Sequence, residues 1–349
     1  MTYKSCKNLA LNYMWIRGEL DQDENALTLT FCCEKGAKKI AVPMCDNPDE
    51  SFASYLTRKY EIINESKKMS QLPSCSISEN EYYKACEGCR GFQASEKWTQ
   101  METDKIHHIT FGINPAPCQA KCIYCNTRLD TRSPFSKNKA APVFDLYFKH
   151  LKHFKEKEWI ADDVTWTFGA GEITIHPFRK ELYGLVGNNR ARWLTNCFIY
   201  DNVIGDNLHA NPCSELTFSI DAGTSKTWHK IKGVDNFAVV KENVIKYVES
   251  SKNPAGQIFL KYLILPGVND DIKNFSKFVE FAKILKLKMI GIARDIRILC
   301  SKEQIQSAAI LTFLAKKEGL QSGYDIYTSV EIVYIHKIAN EMYLRERNK

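Results

Sequence analysis

Three cysteines, Cys118, Cys122 and Cys125, have the spacing C-x3-C-x2-C and are the residues of this sequence best suited to chemistry. Three thiolates on one short loop can bind three irons of a cubane iron–sulfur cluster and leave the fourth iron without a protein ligand. An open iron can bind and reduce a small molecule, whereas a fully ligated cluster only transfers electrons. The same spacing also suits a three-cysteine zinc site with an open position or three structural thiols.

The residues around the cysteines favour the iron–sulfur cluster over the zinc site and the structural thiols. Pro115 and Pro117 precede Cys118, as is typical of a loop that leaves a strand. Tyr124, just before the last cysteine, provides a flat ring suited to stacking on adenine. The segment resembles the cluster loop of the radical S-adenosylmethionine (radical SAM) superfamily. The resemblance implies that the open iron chelates the amino and carboxylate groups of SAM.

A second segment lies at the end of the next predicted strand. Small residues, Gly169 to Gly171, let backbone carbonyls approach a ligand closely, and Glu172 adds an acceptor for an ammonium group. Taken alone, the segment is equally a tight turn between a strand and a helix. After a C-x3-C-x2-C loop, it resembles the Gly-Gly-Glu-Pro motif that binds the amino group of SAM. Ala170 replaces the first glycine and Ile173 replaces the proline, which leaves the local backbone geometry open.

Three further strand ends match the superfamily in order. Thr195-Asn196 is similar to the start of the Thr-Asn-Gly that ends the third strand in many members. Ser219 and Asp221 lie at the end of the fourth strand, where members place a polar side chain on SAM. Lys261 belongs to a segment that resembles the fifth strand and its exit loop. The resemblance therefore implies SAM binding by Tyr124, Ala170, Gly171, Glu172, Thr195, Asn196, Ser219, Asp221 and Lys261.

The region from about residue 107 onward alternates short apolar runs with amphipathic stretches. The predicted strands are His107–Ile113, Val164–Gly169, Arg192–Thr195, Glu215–Asp221, Gln257–Leu265 and Lys288–Ala293. The predicted helices are Val143–Phe154, Arg179–Gly187, Ala238–Ser250 and Asn274–Leu285. Strict alternation predicts right-handed crossovers and a parallel sheet. We therefore expect an α/β fold, a partial (β/α)6 TIM barrel, with its chemistry at the C-terminal strand ends.

Three domains follow from these patterns. Residues 1–106 carry seven of the thirteen cysteines without this alternation, and we interpret them as an N-terminal cysteine-rich auxiliary-cluster domain. Residues 107–300 form the predicted barrel. Residues 301–349 form a helical and mixed C-terminal extension that packs on it, with a predicted helix at Ser301–Glu318.

The N-terminal cysteines suggest a second metal site. Cys86 and Cys89 form a C-x2-C pair of the kind that binds zinc or one edge of a cluster. With Cys6 and the Cys32-Cys33 pair, they resemble the cysteine order of SPASM-type auxiliary-cluster domains, which usually follow the barrel. Our hypothesis is a second [4Fe–4S] cluster on Cys6, Cys86, Cys89 and one of the adjacent pair, whose side chains diverge if extended. Structural zinc and free thiols are the alternatives.

The composition limits the cellular compartment and the kinds of partner that we expect. The chain is 44% hydrophobic and 26% charged, with no apolar run long enough to span a bilayer. No apolar signal core is visible near Met1, so we expect cysteines that bind metal in a reducing cytoplasm rather than disulfides, and no membrane partner. The net charge of +7 is compatible with an anionic substrate or RNA. Nucleic acid is disfavoured because no basic stripe with interleaved aromatic residues occurs.

The resemblance implies an enzyme that reductively cleaves SAM to a 5′-deoxyadenosyl radical, which abstracts a hydrogen atom from the substrate. The segment from Asp221 to Val244, with His229, Lys230 and Phe237, is similar to the one that follows the fourth strand in peptide-modifying members. A peptide substrate, undergoing crosslinking, epimerisation or oxidation, is therefore favoured over a small metabolite such as a sugar, a nucleotide or an antibiotic intermediate. An electron donor such as flavodoxin or ferredoxin is implied as a partner. The non-enzyme alternative is a zinc-stabilised binding module.

Two more cysteines, Cys197 and Cys300, follow predicted strands on the side of the active site. Either could act catalytically by donating a hydrogen atom to a substrate radical, although a buried cysteine is usually just a small apolar residue. Arg294 and Arg297 at the end of the sixth predicted strand suit either an anionic substrate group or a surface salt bridge.

Overall fold

The computed structural model describes residues 3–6, 9, 12–20, 27–31, 41–69, 92–95, 103–125, 135–169 and 171–347. The chain divides into two compact units. The first consists of residues 1–117 and 130–171, and the second of residues 118–129 and 172–349.

The first unit combines parallel and antiparallel strands. Its strands are β1 (Tyr3–Cys6), β2 (Tyr13–Glu19), β3 (Thr28–Thr30), β4 (Val42–Pro43), β5 (Phe92–Ser95), β6 (Ile106–Asn114) and β7 (Ile160–Phe168), and its helices are α1 (Pro48–Met69) and α2 (Lys137–Glu156). β1 and β5 pair with each other in antiparallel fashion. β6 lies between β2 and β7, parallel to both, and β3 and β4 extend the sheet beyond β2 in antiparallel fashion. Phe111 of β6 packs against Phe144 and Tyr147 of α2 in the core.

The second unit is a regular α/β arrangement. It contains a 3-10 turn (Ile173–Ile175), the strands β8 (Ala191–Thr195), β9 (Glu215–Ser219), β10 (Ile258–Ile264), β11 (Met289–Arg294) and β12 (Gln321–Asp325), and the helices α3 (Arg179–Val186), α4 (Asn202–Ala210), α5 (Ser225–Lys232), α6 (Phe237–Ser250), α7 (Pro254–Gln257), α8 (Ile272–Ile284), α9 (Lys302–Lys317) and α10 (Ser329–Arg347). The five strands are adjacent in chain order, and every neighbouring pair is parallel. At least one helix separates consecutive strands, as parallel crossovers require.

Side-chain caps fix where the helices of the second unit begin. Asp201 and Asp271 accept hydrogen bonds from the first-turn amides of α4 and α8. Ser301 and Gln304 form a reciprocal capping box at the start of α9. None of the helices in the described ranges is both long and apolar enough to cross a bilayer.

The end of α8 is formed by the backbone. Lys286, just after the helix, has a left-handed φ of 55°. Its amide donates to the carbonyl of Lys283, and the amide of Leu287 donates to that of Ala282. These bonds turn the chain towards β11, which begins at Met289.

The predicted strands correspond to β6 to β11, and the α/β class with parallel pairing is confirmed. β12 is not predicted, because its Gln-Ser-Gly-Tyr-Asp sequence has no strand signal, and neither is its parallel pairing with β11. The parallel pairing of β2 with β6 is likewise not predicted from the sequence. In the first unit, the pairing of β2 with β6 joins residues on both sides of the predicted boundary at residue 106. In the second unit, the pairing of β11 with β12 does the same at residue 300. The three-domain division and the partial barrel stay predictions.

Gly223, which follows β9, is expected to tolerate no side chain. Its amide donates to Oδ1 of Asn274 at 3.0 Å, and a methyl group there would lie 2.2 Å from the backbone oxygen of the same residue. We predict that Gly223→Ala lowers the free energy of unfolding by about 1–3 kcal/mol, because the first turn of α8 must shift. Thermal melting followed by circular dichroism measures the change. The control is Gly184→Ala inside α3, where a methyl group meets nothing within 4 Å and alanine favours the helix; equal melting temperatures for the two variants would contradict the prediction.

Candidate active site

The cysteine loop lies in the second unit. Cys118 is exposed, Cys122 and Cys125 are half-buried, and all three thiols are free. The loop docks through its backbone on the end of α5: the amide of Lys121 donates to the carbonyl of Lys232 at 2.8 Å. The amide of Ile123 likewise donates to a carbonyl of α5 at 3.1 Å. The loop therefore presents its three thiols from a fixed backbone.

The buried ion pair of Asp221 with Lys232 also holds the cysteine loop in place, through Tyr124. Asp221, fully buried after β9, accepts a hydrogen bond from Nζ of Lys232 at 2.5 Å and one from the hydroxyl of Tyr124. Its other oxygen accepts the backbone amide of Leu263 in β10 at 2.7 Å. One carboxylate thus joins β9, β10, α5 and the cysteine loop.

The charges of this network are set by burial and proximity. Burial alone would lower the pKa of Lys232, but the adjacent Asp221 carboxylate holds it above its usual value. Burial, with the same carboxylate, raises the pKa of Tyr124, which therefore remains a neutral donor. Burial also raises the pKa of Cys122, and the charge of Lys232 acts in the opposite direction. Lys232 thus places a permanent cation near this thiol.

Tyr124 packs against a buried apolar cluster in addition to its polar contacts. The cluster consists of Ile231, Leu263, Leu265 and Ala293. The ammonium of Lys232 lies 5.0 Å from the centre of the tyrosine ring. The ring is thereby immobilised, and its stacking on adenine stays a prediction.

Glu172 is the second buried carboxylate of the site. Oε1 accepts hydrogen bonds from the amide and hydroxyl of Thr174 and from the hydroxyl of Thr195, at 3.3, 2.9 and 2.8 Å. Oε2 accepts the backbone amide of Asn196 at 2.7 Å. Burial raises the pKa of Glu172, and these four donors oppose that rise. The carboxylate therefore orients the end of β8. That it also binds the ammonium group of a ligand stays a prediction.

Asn196 connects Glu172 with the cysteine loop. Its Nδ2 lies 3.6 Å from Sγ of Cys118, and its Oδ1 accepts the backbone amide of Phe198 at 3.0 Å and lies 3.5 Å from Nε2 of Gln119. Although Cys118 is exposed as a residue, its sulfur is partly withdrawn from water, and this desolvation, with the nearby carboxylate of Glu172 and the other two thiols, raises the pKa of Cys118 to about 11. The thiol is therefore protonated near neutral pH, and a metal would have to displace its proton.

The remaining residues predicted to bind SAM have different environments. Gly171, in the first unit, has a φ of 64°, and a side chain there would lie 2.5 Å from Cβ of Ala116, whereas Ala170 lies outside the described residues. Ser219 is half-buried as the last residue of β9. Lys261 pairs with Asp325 of β12 at 2.8 Å.

The two candidate hydrogen donors differ in accessibility. Cys197 is fully buried, with a left-handed φ of 62°, and its carbonyl accepts Nδ2 of Asn243 at 3.0 Å. Burial, then the charge of Glu172, raises its pKa well above the usual value. Cys300 is half-buried, and burial followed by the charge of Glu331 raises its pKa to about 11.

The structure describes little of the proposed auxiliary site. Cys6 is half-buried at the end of β1, opposite Phe92 of β5. The other four cysteines of that hypothesis, namely Cys32, Cys33, Cys86 and Cys89, lie outside the described residues. Within the described part of the chain, no three histidine, cysteine, aspartate or glutamate side chains are grouped to bind one metal ion.

Two residues of the site were missed from the sequence. Lys232 ends a short helix that also carries Lys226, His229 and Lys230, and nothing in the sequence marks it as the buried one. Asn269 is fully buried after β10; its Nδ2 donates to the carbonyls of Asp221 and Leu263, both at 2.8 Å, and its Oδ1 accepts the amide of Leu265. The Pro-Gly dipeptide before Asn269 predicts a loop, but it does not predict that the side chain of Asn269 is buried and bonded to these backbone groups.

Comparison with known proteins gives only distant likenesses. No protein-family model and no curated protein matches the chain. SuiB from Streptococcus suis, solved bound to the precursor peptide SuiA, aligns with 12% identity over 92% of this chain and 72% of that chain, at a TM-score of 0.47. A radical SAM methyltransferase from Sphaerobacter thermophilus aligns with 13% identity over 60% of this chain and 64% of that chain, at a TM-score of 0.42. A domain of a pyruvate-formate lyase-activating enzyme from Bacteroides vulgatus aligns with 20% identity over 46% of this chain and 97% of that chain, at a TM-score of 0.36. At such identities and TM-scores, the activity of this chain has to be argued from its own residues.

Removal of the buried cation is predicted to be more damaging than removal of the whole ion pair. Lys232→Met leaves the Asp221 carboxylate buried without its counter-ion, which typically costs about 3–5 kcal/mol of unfolding free energy. Asp221→Asn combined with Lys232→Met removes both charges, and asparagine tolerates the left-handed φ of 55° at this position.

Urea unfolding of the wild type, both single variants and the double variant measures the coupling free energy. We expect the double variant to be more stable than Lys232→Met alone. A double variant whose loss equals the sum of the two single losses would contradict the prediction.

Proposed function

We propose that this chain is a radical SAM enzyme whose cluster is held by Cys118, Cys122 and Cys125. The observation that carries the proposal is the hydrogen-bonded path from Glu172 through Asn196 to Cys118. It joins two motifs that are far apart in the sequence, at the C-terminal side of parallel strands, where α/β enzymes bind their ligands.

The donor set fits a cubane cluster. Three free thiols on one short loop provide one ligand for each of three irons. A cluster does not require three ligands to meet at a single ion, as tetrahedral zinc does. When bound and reduced, the cluster would supply one electron to SAM, whose cleavage would give methionine and the 5′-deoxyadenosyl radical that abstracts a hydrogen atom.

The residues of the chain position these groups. Asn196 is placed to donate a hydrogen bond to the Cys118 sulfur, which stabilises thiolate charge. Lys232 provides a buried positive charge near Cys122, which favours the thiolate form of that ligand. Glu172 fixes the end of β8, beside which the methionine part of SAM would bind. The partial barrel and the SAM contacts of Ala170, Gly171, Ser219 and Lys261 are parts of the same proposal.

We further propose a peptide as the substrate and an auxiliary [4Fe–4S] cluster on the N-terminal cysteines. Both rest on the resemblance of the sequence to peptide-modifying members of the superfamily and to SPASM-type domains. In that arrangement, the second cluster would exchange an electron with the substrate radical.

Loss of one cluster ligand tests the proposal. We predict that anaerobically purified wild-type protein is brown and forms 5′-deoxyadenosine from SAM and dithionite, whereas Cys122→Ala does so at a rate at least about a hundredfold lower. The matched control is Cys213→Ala, which removes an exposed cysteine outside the site and should retain full activity. Iron content should fall from about eight to about four per chain if the auxiliary cluster exists, and from about four to near zero if it does not. Wild-type protein without iron and without SAM cleavage would overturn the proposal and favour a zinc-stabilised binding module.

Cys300 is the better candidate for a hydrogen donor because its thiol is partly accessible, whereas that of Cys197 is fully buried. We predict that iodoacetamide labels Cys300 in the native protein and leaves Cys197 unlabelled. Iodoacetamide reacts with the thiolate, and the pKa of Cys300 is about 11. The rate at which Cys300 is labelled should therefore rise roughly tenfold per pH unit between pH 7 and 10. Glu331→Gln should accelerate labelling at pH 8, since it removes the charge that raises the pKa. Mass spectrometry of the labelled peptides measures both; labelling of Cys197 before Cys300 would reverse the assignment.

A further inference from the structure

A groove of about 640 Å³ opens beside the site, within the second unit. One wall consists of the 3-10 turn and the start of α3, and the other of the segment from Ile199 to Val203 that leads into α4. The size suits a ligand of several residues or a small organic molecule. None of the residues assigned to the cluster or to SAM lines it.

Two cations lie on one wall of the groove. Arg179 is half-buried and Lys180 is exposed, and they are consecutive at the start of α3. Within the described ranges neither forms a salt bridge with an acidic side chain, whereas Arg190, a little further along the chain, pairs with Glu215. Adjacent cations at a concave surface favour a ligand that carries negative charge.

The opposite wall combines apolar and polar side chains. Ile199 and Val203 are 45% and 46% exposed, so this wall presents apolar surface to solvent. Asp201 has its oxygens occupied by the hydroxyl of Tyr183 and the amide of Val203. Asn202 is exposed beside it, with an amide group suited to pairing with a peptide backbone.

The groove shares a residue with the network around the cysteine loop. Thr174 lines the groove and donates its hydroxyl hydrogen to Glu172, the carboxylate that also accepts the amide of Asn196. A chain lying in the groove would therefore approach the C-terminal end of β8.

We propose that this groove binds an extended segment of a peptide substrate in which acidic side chains alternate with aliphatic ones. The acidic groups pair with Arg179 and Lys180, and the aliphatic groups cover Ile199 and Val203. This inference deepens the proposed function, on which it rests for the reaction that follows binding.

The walls favour a peptide over a nucleic acid. Tyr183 is buried, and its hydroxyl is bonded to Asp201, so its ring is not free to stack on a base. Alternate side chains of an extended peptide point to opposite sides, which matches one cationic and one apolar wall.

Fluorescence anisotropy tests the proposal with the full chain in the absence of reductant. The probe is a fluorescein-labelled heptapeptide of alternating glutamate and leucine, and its counterpart has glutamine in place of glutamate. We expect the acidic peptide to bind at least about fivefold more tightly than the glutamine peptide, with a difference that shrinks as salt is added. We expect Lys180→Glu to weaken the acidic peptide about fivefold or more, and Arg179→Glu with Lys180→Glu to weaken it further.

The matched control is Lys273→Glu. Lys273 is the second residue of α8, as Lys180 is of α3, so both reversals have the same effect on a helix terminus, but Lys273 lies outside the groove. Equal binding of the two peptides, or equal effects of the two lysine reversals, would overturn the proposal. Tighter binding of a single-stranded oligonucleotide of equal charge would overturn it in favour of a nucleic-acid site. Because binding is measured without SAM cleavage, its failure is distinct from failure of the radical SAM assignment.

Discussion

The buried Asp221–Lys232 pair is the interaction on which the arrangement of the site depends. A carboxylate with no exposed surface is tolerated in a protein interior only when it is paired and fully hydrogen-bonded. Asp221 meets this requirement with donors from three different places, namely α5, β10 and the cysteine loop through Tyr124. Since such a pair is costly to break and contributes little net stability, its main effect here is geometric: it permits one position of the loop relative to the strands.

Glu172 imposes a second constraint on the same loop from a different strand. It fixes Thr195 and Asn196 at the end of β8, and Asn196 reaches the sulfur of Cys118. Asn269 completes the end of β10 by bonding to three backbone groups. Buried polar side chains thus occupy the C-terminal ends of consecutive parallel strands, where backbone groups would otherwise be left without partners. A catalytic site needs such second contacts because a small displacement of the reacting groups is costly.

The sequence predicted those parts of the structure that depend on local patterns. Apolar runs predicted the strands from β6 to β11. The spacing of the three cysteines marked the cysteine loop, and the small residues before Glu172 marked the turn whose carboxylate bonds to the end of β8. It could not identify Lys232, because burial of a lysine depends on a partner that is distant in sequence and on packing around both. Likewise β12 is stabilised by pairing with β11 and by the helix α9 rather than by its own polar residues. The groove could not be foreseen either, since it is formed by two segments that carry no common pattern.

The left-handed turn at Lys286 has a practical consequence. It is closed by two backbone hydrogen bonds to the preceding helix, on the side of the second unit where strands begin rather than end. Leu287 is buried between the exposed Lys286 and Lys288, so one apolar side chain and these two bonds anchor the start of β11. A fluorescent label or a surface anchor attached to the side chain of Lys286 or Lys288 would reach solvent without disturbing that anchor, and it would leave the ends of β8, β9 and β10 unobstructed. An insertion between the two lysines would instead have to displace Leu287, so this turn has little freedom to change in length.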